Sequence, residues 1–325
     1  MSFWQEQFDK RGLLSDGGEY ELQGGIARQK GLYSQAQKQT EDAFAYKWAR
    51  DTYESDVVKD ATRAWELVGF FDGDEEKMKD VLFPDARMLD AGCGSGFSAL
   101  ALFGRKLNEV NYLGVDISTA VDVAKQRFEE EHIKGEFMQS DLLTLPFNEP
   151  TFDIVFSTGV LHHTDSTERG IKKMASLLVK NGKFLFYVYR KKAPIREWTD
   201  DYVREQIRNL SDEDAWKALE SLTKLGIALG ELNVQIDIPE EVRLLGIPKG
   251  KIDIQRLFYW YVIKAYYRSE FTLDEMNHIN FDWFRPLNCH RQTPEEVRKW
   301  CDEVNLRIDR MHVEEAGMYV TATKL

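Results

Sequence analysis

Between residues 85 and 190, short apolar runs alternate with stretches whose apolar residues recur every three or four positions. The runs at 88–91, 112–115, 136–138, 152–157 and 183–189 predict strands, and 97–105, 119–131 and 168–180 predict helices. Strands that alternate with helices form βαβ units around a parallel sheet. Upstream, Ser55 precedes Val58, Ala61, Ala64, Trp65 and Val68 at helical spacing, which predicts a capped helix over 55–71; a second helix is expected over 74–82. Residues 1–50 carry weak periodicity and scattered glycines (Gly12, Gly17, Gly18, Gly24, Gly25), and read as short helices and loops. After residue 193 the alternation stops. Helical spacing dominates at 200–210, 211–226, 251–268 and 272–278. Thr293-Pro294-Glu295-Glu296 then reads as a helix start, with a capping threonine, proline in the first turn and glutamate three residues on. Two last strands are expected at 307–311 and 318–323, and Asn181-Gly182 reads as a helix C-cap.

These elements predict a doubly wound, seven-stranded α/β sheet over 85–192 and 287–325. A helical N-terminal lid region (1–84) precedes it, and a helical cap is inserted at 193–286. With 43% apolar residues in 325 the chain can bury a full core. Its net charge of −12 repels phosphate backbones and disfavours a nucleic-acid partner; Arg190-Lys191-Lys192 reads as a solvated strand end. Three widely spaced cysteines (Cys93, Cys289, Cys301) suit neither a zinc site nor a disulfide framework. The N-terminus lacks a basic segment followed by an apolar one, and no window reaches membrane-span length, so a cytoplasmic protein with no metal is expected. The sequence leaves oligomeric state open, a homodimer included.

The chemistry concentrates at 87–99, Arg-Met-Leu-Asp-Ala-Gly-Cys-Gly-Ser-Gly-Phe-Ser-Ala. A strand ends on Asp90, then glycines at 92, 94 and 96 allow close approach of backbone to a ligand before a helix begins. The helix start aims free N–H groups at that ligand. A dinucleotide dehydrogenase would need glycine at 97, where Phe97 stands. The pattern Asp90-x-Gly92-x-Gly94-x-Gly96 instead resembles motif I of the class I S-adenosylmethionine-dependent methyltransferases. The resemblance continues in order through Asp116, Ser140-Asp141-Leu142, Phe152 to His163, and Asn181-Gly182-Lys183, and loosely over the last 35 or so residues. It resembles the bacterial small-molecule methyltransferases, and around Leu161-His162-His163 also the quinone C-methyltransferases. The long N-terminal region and the insertion depart from the latter.

The resemblance implies S-adenosylmethionine as cofactor and S-adenosylhomocysteine as product. It places Asp116 on the ribose hydroxyls and Asp141 on the adenine amino group, and gives cofactor contact to Asp90, Ala91, Gly92, Gly94, Gly96, Asp116, Ile117, Asp141, Leu142 and Thr158. It implies methyl transfer to an O, N or C nucleophile of a small-molecule acceptor by in-line displacement. His162 and His163 are candidate general bases beside the acceptor, with Tyr189 flanking it. Each also has a packing reading: one imidazole on backbone, the other against the cofactor. Alternation puts Tyr187 and Tyr189 on one strand face. Trp48, four residues after Phe44 on one helical face, is expected in a lid, with Tyr33 and Tyr53 as weaker members. Trp260, in the aromatic run 258–267, is an acceptor-wall candidate beside a buried-helix reading. Arg285 and His290, with Asp282 and Arg291, are candidates for reading an acceptor's charge or for salt bridging. Cys93 reads as a small packing residue. Two other readings stay open: an RNA-modifying methyltransferase, which needs a basic face, and a non-catalytic S-adenosylmethionine-binding protein. The Asn-Pro-Pro-Tyr element of DNA adenine and protein glutamine methylation is missing after the fourth strand.

Overall fold

The computed structural model describes residues 3–14, 18–31, 34–48 and 55–325. Helix α1 (Phe3–Lys10) leads into strands β1 (Tyr20–Gln23) and β2 (Ile26–Gln29), then helices α2 (Gln35–Trp48), α3 (Asp56–Phe71) and α4 (Glu75–Val81). The alternating region follows as β3 (Arg87–Ala91), α5 (Phe97–Phe103), β4 (Asn111–Asp116), α6 (Ala120–Glu130), β5 (Glu136–Gln139), β6 (Phe152–Thr158), α7 (Thr167–Leu177) and β7 (Leu178–Tyr189). Next come α8 (Pro194–Ile207), α9 (Asp212–Glu231), the small hairpin β8 (Gln235–Ile238) and β9 (Gly250–Asp253), α10 (Ile254–Tyr261) and α11 (Leu273–Phe284). The chain closes with α12 (Pro294–Glu303), β10 (Leu306–Val313) and β11 (Gly317–Lys324). Among the described residues no helix is long and apolar enough to cross a membrane.

One sheet of nine strands, rather than the expected seven, runs β1-β2-β5-β4-β3-β6-β7-β11-β10. The pairs from β2 through β7 are parallel; β1–β2, β7–β11 and β11–β10 are antiparallel. The two extra strands come from the N-terminal region expected to hold helices and loops. Gly24 and Gly25 take φ +61° and +79°, the conformation of a tight two-residue hairpin turn, and β2 then extends the sheet beyond β5 through Ala27 and Arg28. Helix α1 docks at the opposite end of the sheet from the glycine turn, where fully buried Trp4 stacks on Phe152 and donates from Nε1 to the Asn111 carbonyl. Of the region expected as a lid, α2 and α3 are the described elements that supply walls to the cavity described below.

Four local expectations shift. The first concerns α3, whose buried face holds Val58, Glu66, Leu67 and Phe70, while Trp65 and Val68 are half exposed. Trp65 packs edge-on against Tyr187 and Tyr319 and donates to Glu314, so its ring serves a contact at the surface. Second, α7 ends at Leu177. Asn181, at φ +64°, sits in an irregularity of β7 where the register against β6 slips, and does not cap the helix. Third, 251–268 is not one helix. Its start pairs with β8, Asp253 caps α10, and the chain leaves the helix after Tyr261 because Asp200 accepts from the Lys264 amide and Gln255 donates to the Ala265 carbonyl. Fourth, α11 runs on to Phe284, past the expected end at 278, and its capping box pairs Thr272 with Glu275. The Thr293–Glu296 box of α12 forms as the sequence signals.

Candidate functional site

A cavity of about 540 Å³ opens over the carboxyl ends of β3, β4, β6 and β7, the place where open α/β sheets bind ligands. Its floor is the glycine turn. Gly92, at φ +87°, lies so close to the loop after β6 that an added Cβ would stand 2.2 Å from Val160. Gly94, at φ +51°, lies under Trp48, whose Nε1 would be 3.1 Å from a Cβ there. The turn is closed by its own amides: Gly92 and Cys93 donate to the Val115 carbonyl, and Gly94 donates to Asp116 Oδ2 at 2.9 Å.

Three strand-end acids face this floor. Asp90 is 2% exposed and accepts from the Tyr112 hydroxyl at 2.6 Å; burial pushes its carboxyl up to about 7. Asp116 accepts from Ser118 N and Oγ on one oxygen and from Gly94 on the other, so three of roughly four acceptor directions are used. That leaves room for about one ligand hydroxyl, fewer than the pair expected. Asp141 caps a short turn through Leu143 and still lines the cavity. Its loop is braced from the N-terminal hairpin: Gln29 Oε1 accepts from the Asp141 amide and the Ser140 hydroxyl, which also meets the Tyr20 hydroxyl. Burial raises the carboxyls of Asp116 and Asp141.

Ile117, Leu142 and Thr158 also line the cavity, as do His163, Tyr187, Tyr189, Trp48 and Trp260. Six expected residues stay out of it. Ala91 is fully buried and its carbonyl accepts from Ser157. Gly96 serves as the N-cap of α5. His162 is fully buried, its ring 3.7 Å from that of Tyr189, behind the wall that Tyr189 presents. Arg285 is spent on the end of α8, donating to Asp212 and to the carbonyls of Ile207, Arg208 and Leu210. His290 Nε2 meets the Thr164 carbonyl. Arg291 pairs with Glu197 and Asp201. Tyr33 and Tyr53 lie outside the described residues.

His163 Nδ1 is 2.6 Å from the Asn288 carbonyl, an acceptor only, so this nitrogen carries the proton and Nε2 keeps its lone pair. Burial holds the imidazole neutral, with its pKa lowered to about 4. Burial by itself would raise the Asp282 carboxyl. Lys47, which pairs with it, together with His163 and Lys264, holds it well below the ordinary range instead. Tyr189 donates to Asp282 Oδ2 at 2.6 Å. Cys93 is buried with its thiol pushed up by desolvation, which rules out an activated nucleophile.

Two groups escaped the sequence reading. Glu66 of α3 is 1% exposed and lines the cavity near Asp90; burial pushes its carboxyl up to about 8 against hydrogen bonds from Ser98 and Thr158. Its signal was an acid four residues before Phe70 and eight after Val58, on the face that is buried. Lys192, Arg196, Arg256, Lys264 and Arg268 form a basic wall opposite the acids. They are dispersed over 77 positions and gather only in three dimensions; Lys192, expected in a solvated strand end, lines the cavity instead.

Residues 89–186 match the family model described as a methyltransferase domain. A probable tRNA methyltransferase 9B of Mus musculus is 32% identical over 132 residues, 39% of this chain and 26% of that protein. A ubiquinone biosynthesis O-methyltransferase of Coxiella burnetii is 33% identical over 102 residues, 30% of this chain and 42% of that protein. The chain thus spans about a quarter to two fifths of the length of these two relatives. Magnesium protoporphyrin IX methyltransferase of Synechocystis, solved with S-adenosylmethionine bound, superposes with TM-score 0.48 at 14% identity, covering 91% of this chain and 100% of that one. Both relatives overlap this chain only in part. Residues 89–186, which hold the glycine turn and the strand-end acids of β3 to β7, thus carry a methyltransferase domain.

Proposed function

We propose that this protein transfers a methyl group from S-adenosylmethionine to a small-molecule acceptor. The observation that carries the reading is a single cavity whose acidic, glycine-floored half faces an aromatic and basic half supplied by 192–283. When bound, S-adenosylmethionine supplies a methyl group already activated by sulfonium charge. Asp116, Asp141, Ile117, Leu142 and the Gly92–Gly94 floor are the residues that would hold it. The protein's own contribution is to position two reactants and keep water out. Trp48 and α11 cover the glycine turn, Trp48 packing against His278. Tyr187 and Tyr189 line the cavity beside that floor, and aromatic rings attract a cation. His163 Nε2 can accept a proton, but at a pKa of about 4 it takes one only from an acceptor that becomes acidic as its new bond forms. An RNA acceptor fits less well, because the helices after β7 wall the site and the net charge is −12.

Calorimetry with S-adenosylhomocysteine tests the reading. Asp116→Asn should weaken binding about tenfold, because a hydrogen bond to a charged group contributes about 1.5–3 kcal/mol. Equal affinity for wild type and variant would remove Asp116 from the cofactor site, and absence of binding to wild type would remove the cofactor assignment.

A further inference from the structure

The basic wall gathers lysines and arginines in a buried space, where burial pushes the Lys192 ammonium well below its ordinary value. Four basic groups crowd one indole: Lys264 Nζ, Lys192 Nζ and the guanidinium carbons of Arg196 and Arg204 lie 4.9, 5.2, 5.3 and 5.3 Å from the Trp283 ring centroid. The nearby carboxylates are largely committed. Asp200 takes Arg196 Nε and Trp283 Nε1; Asp282 takes Lys47 and the Tyr189 hydroxyl; Glu314 takes Trp65 Nε1. Lys192 Nζ donates to the backbone carbonyls of Glu315 and Ala316. Lys264 is 5% exposed, and among the described residues its Nζ has neither an ion pair nor a hydrogen bond; burial lowers its ammonium to about 7 against the attraction of Asp282. Burial works against the charged forms of the two lysines, and an anion that joined them would favour those forms. All of these but Arg204 line the cavity, and so do the rings of Tyr259, Trp260, Tyr266 and Phe271.

We propose that the acceptor is a small ring-bearing oxyanion, a carboxylate or a phosphate, whose charged group sits on Lys264, Lys192 and Arg196 while its ring lies against the aromatic wall. The proposal rests on the methyl-transfer reading of the same cavity and names its substrate class. Its geometry fits the arrangement: the anion is held at the far end, and the nucleophile is left to face the glycine floor.

The test is calorimetry on the full chain saturated with S-adenosylhomocysteine, with benzoate, phenyl phosphate and neutral benzamide as probes. At least one anion should bind ten times or more tighter than benzamide, and the tighter of the two identifies the charged group. Lys264→Met should weaken that anion at least tenfold, leave S-adenosylhomocysteine affinity unchanged and be largely rescued by Lys264→Arg. Benzamide binding as well as both anions, neither anion binding, or an anion indifferent to Lys264→Met would each overturn the proposal. The wild-type comparison of charged and neutral probes decides even if a variant fails to fold. The titrations are repeated without S-adenosylhomocysteine. Anion binding in a protein that does not bind S-adenosylhomocysteine would retire the methyl-transfer reading and keep the anion site.

Discussion

Replacing Glu66 with glutamine should stabilise this protein, and only at neutral and higher pH. Glu66 is 1% exposed, and Oε2 has no hydrogen-bond partner among the described residues. Burial disfavours its charged form, so the folded protein keeps this proton up to about pH 8, whereas an unfolded chain loses it near the ordinary 4.5. The folded pKa of an acid is thus raised above the unfolded one. Between those two values the native state holds the extra proton, so stability falls as pH rises; the full stability is present only below 4.5. At about 1.4 kcal/mol per pH step, the accumulated cost is roughly 3 kcal/mol at neutral pH and roughly 5 kcal/mol once the folded acid has ionised. Glu66→Gln keeps the shape and neutrality of the protonated acid and removes the titration. In thermal unfolding the variant should gain roughly 5–10 °C in Tm at pH about 8.5 and less than about 2 °C at pH about 5. A Tm difference that is the same at both pH values would show that Glu66 is already ionised and compensated in the folded state, and the reasoning from its burial would fail.

Gly92→Ala should abolish S-adenosylhomocysteine binding and cost about 2–4 kcal/mol of stability, because a Cβ at φ +87° meets Val160. Adding Val160→Ala should recover part of the stability in denaturant titration, and no recovery would show that backbone strain alone is responsible. His163→Gln should lower kcat about 10- to 100-fold with S-adenosylhomocysteine affinity unchanged in calorimetry. Because burial keeps His163 neutral down to a pKa of about 4, the wild-type rate should show no histidine titration near pH 6.5. A full rate in the variant would leave His163 with a packing role only.

Much of the fold could be read along the chain because its signals are local. A strand that is buried on both faces reads as an apolar run, Asp90 and the glycines mark the turn after it, and Thr293 with Glu296 writes its own helix cap. Seven of the nine strands follow from such signals, and so does the grouping of Asp90, Asp116 and Asp141, because parallel strands all end on the same edge. The Gly24-Gly25 hairpin carried an equally local signal, a two-residue glycine turn. Its place in the sheet was not local, since β2 is set by pairing with β5 more than a hundred residues away.

The rest was decided by packing between distant segments. Residue type made Arg285 and His290 site candidates and the resemblance made His162 one, but each is occupied elsewhere: Arg285 by the carbonyls at the end of α8, His290 by Thr164, His162 by a place behind Tyr189. Which face of α3 is buried depends on what lies beneath it, so a carboxylate at 66 entered the core while Trp65 stayed at the surface. By itself the sequence determined the half of the cavity that the glycine turn and strand-end acids build, because that half comes from consecutive strands of one sheet. Only the tertiary structure assembled the other half. Lys192, Arg196 and Lys264 come from the end of β7, helix α8 and the segment after α10, and the field that an acceptor meets is a sum over positions that no local pattern brings together.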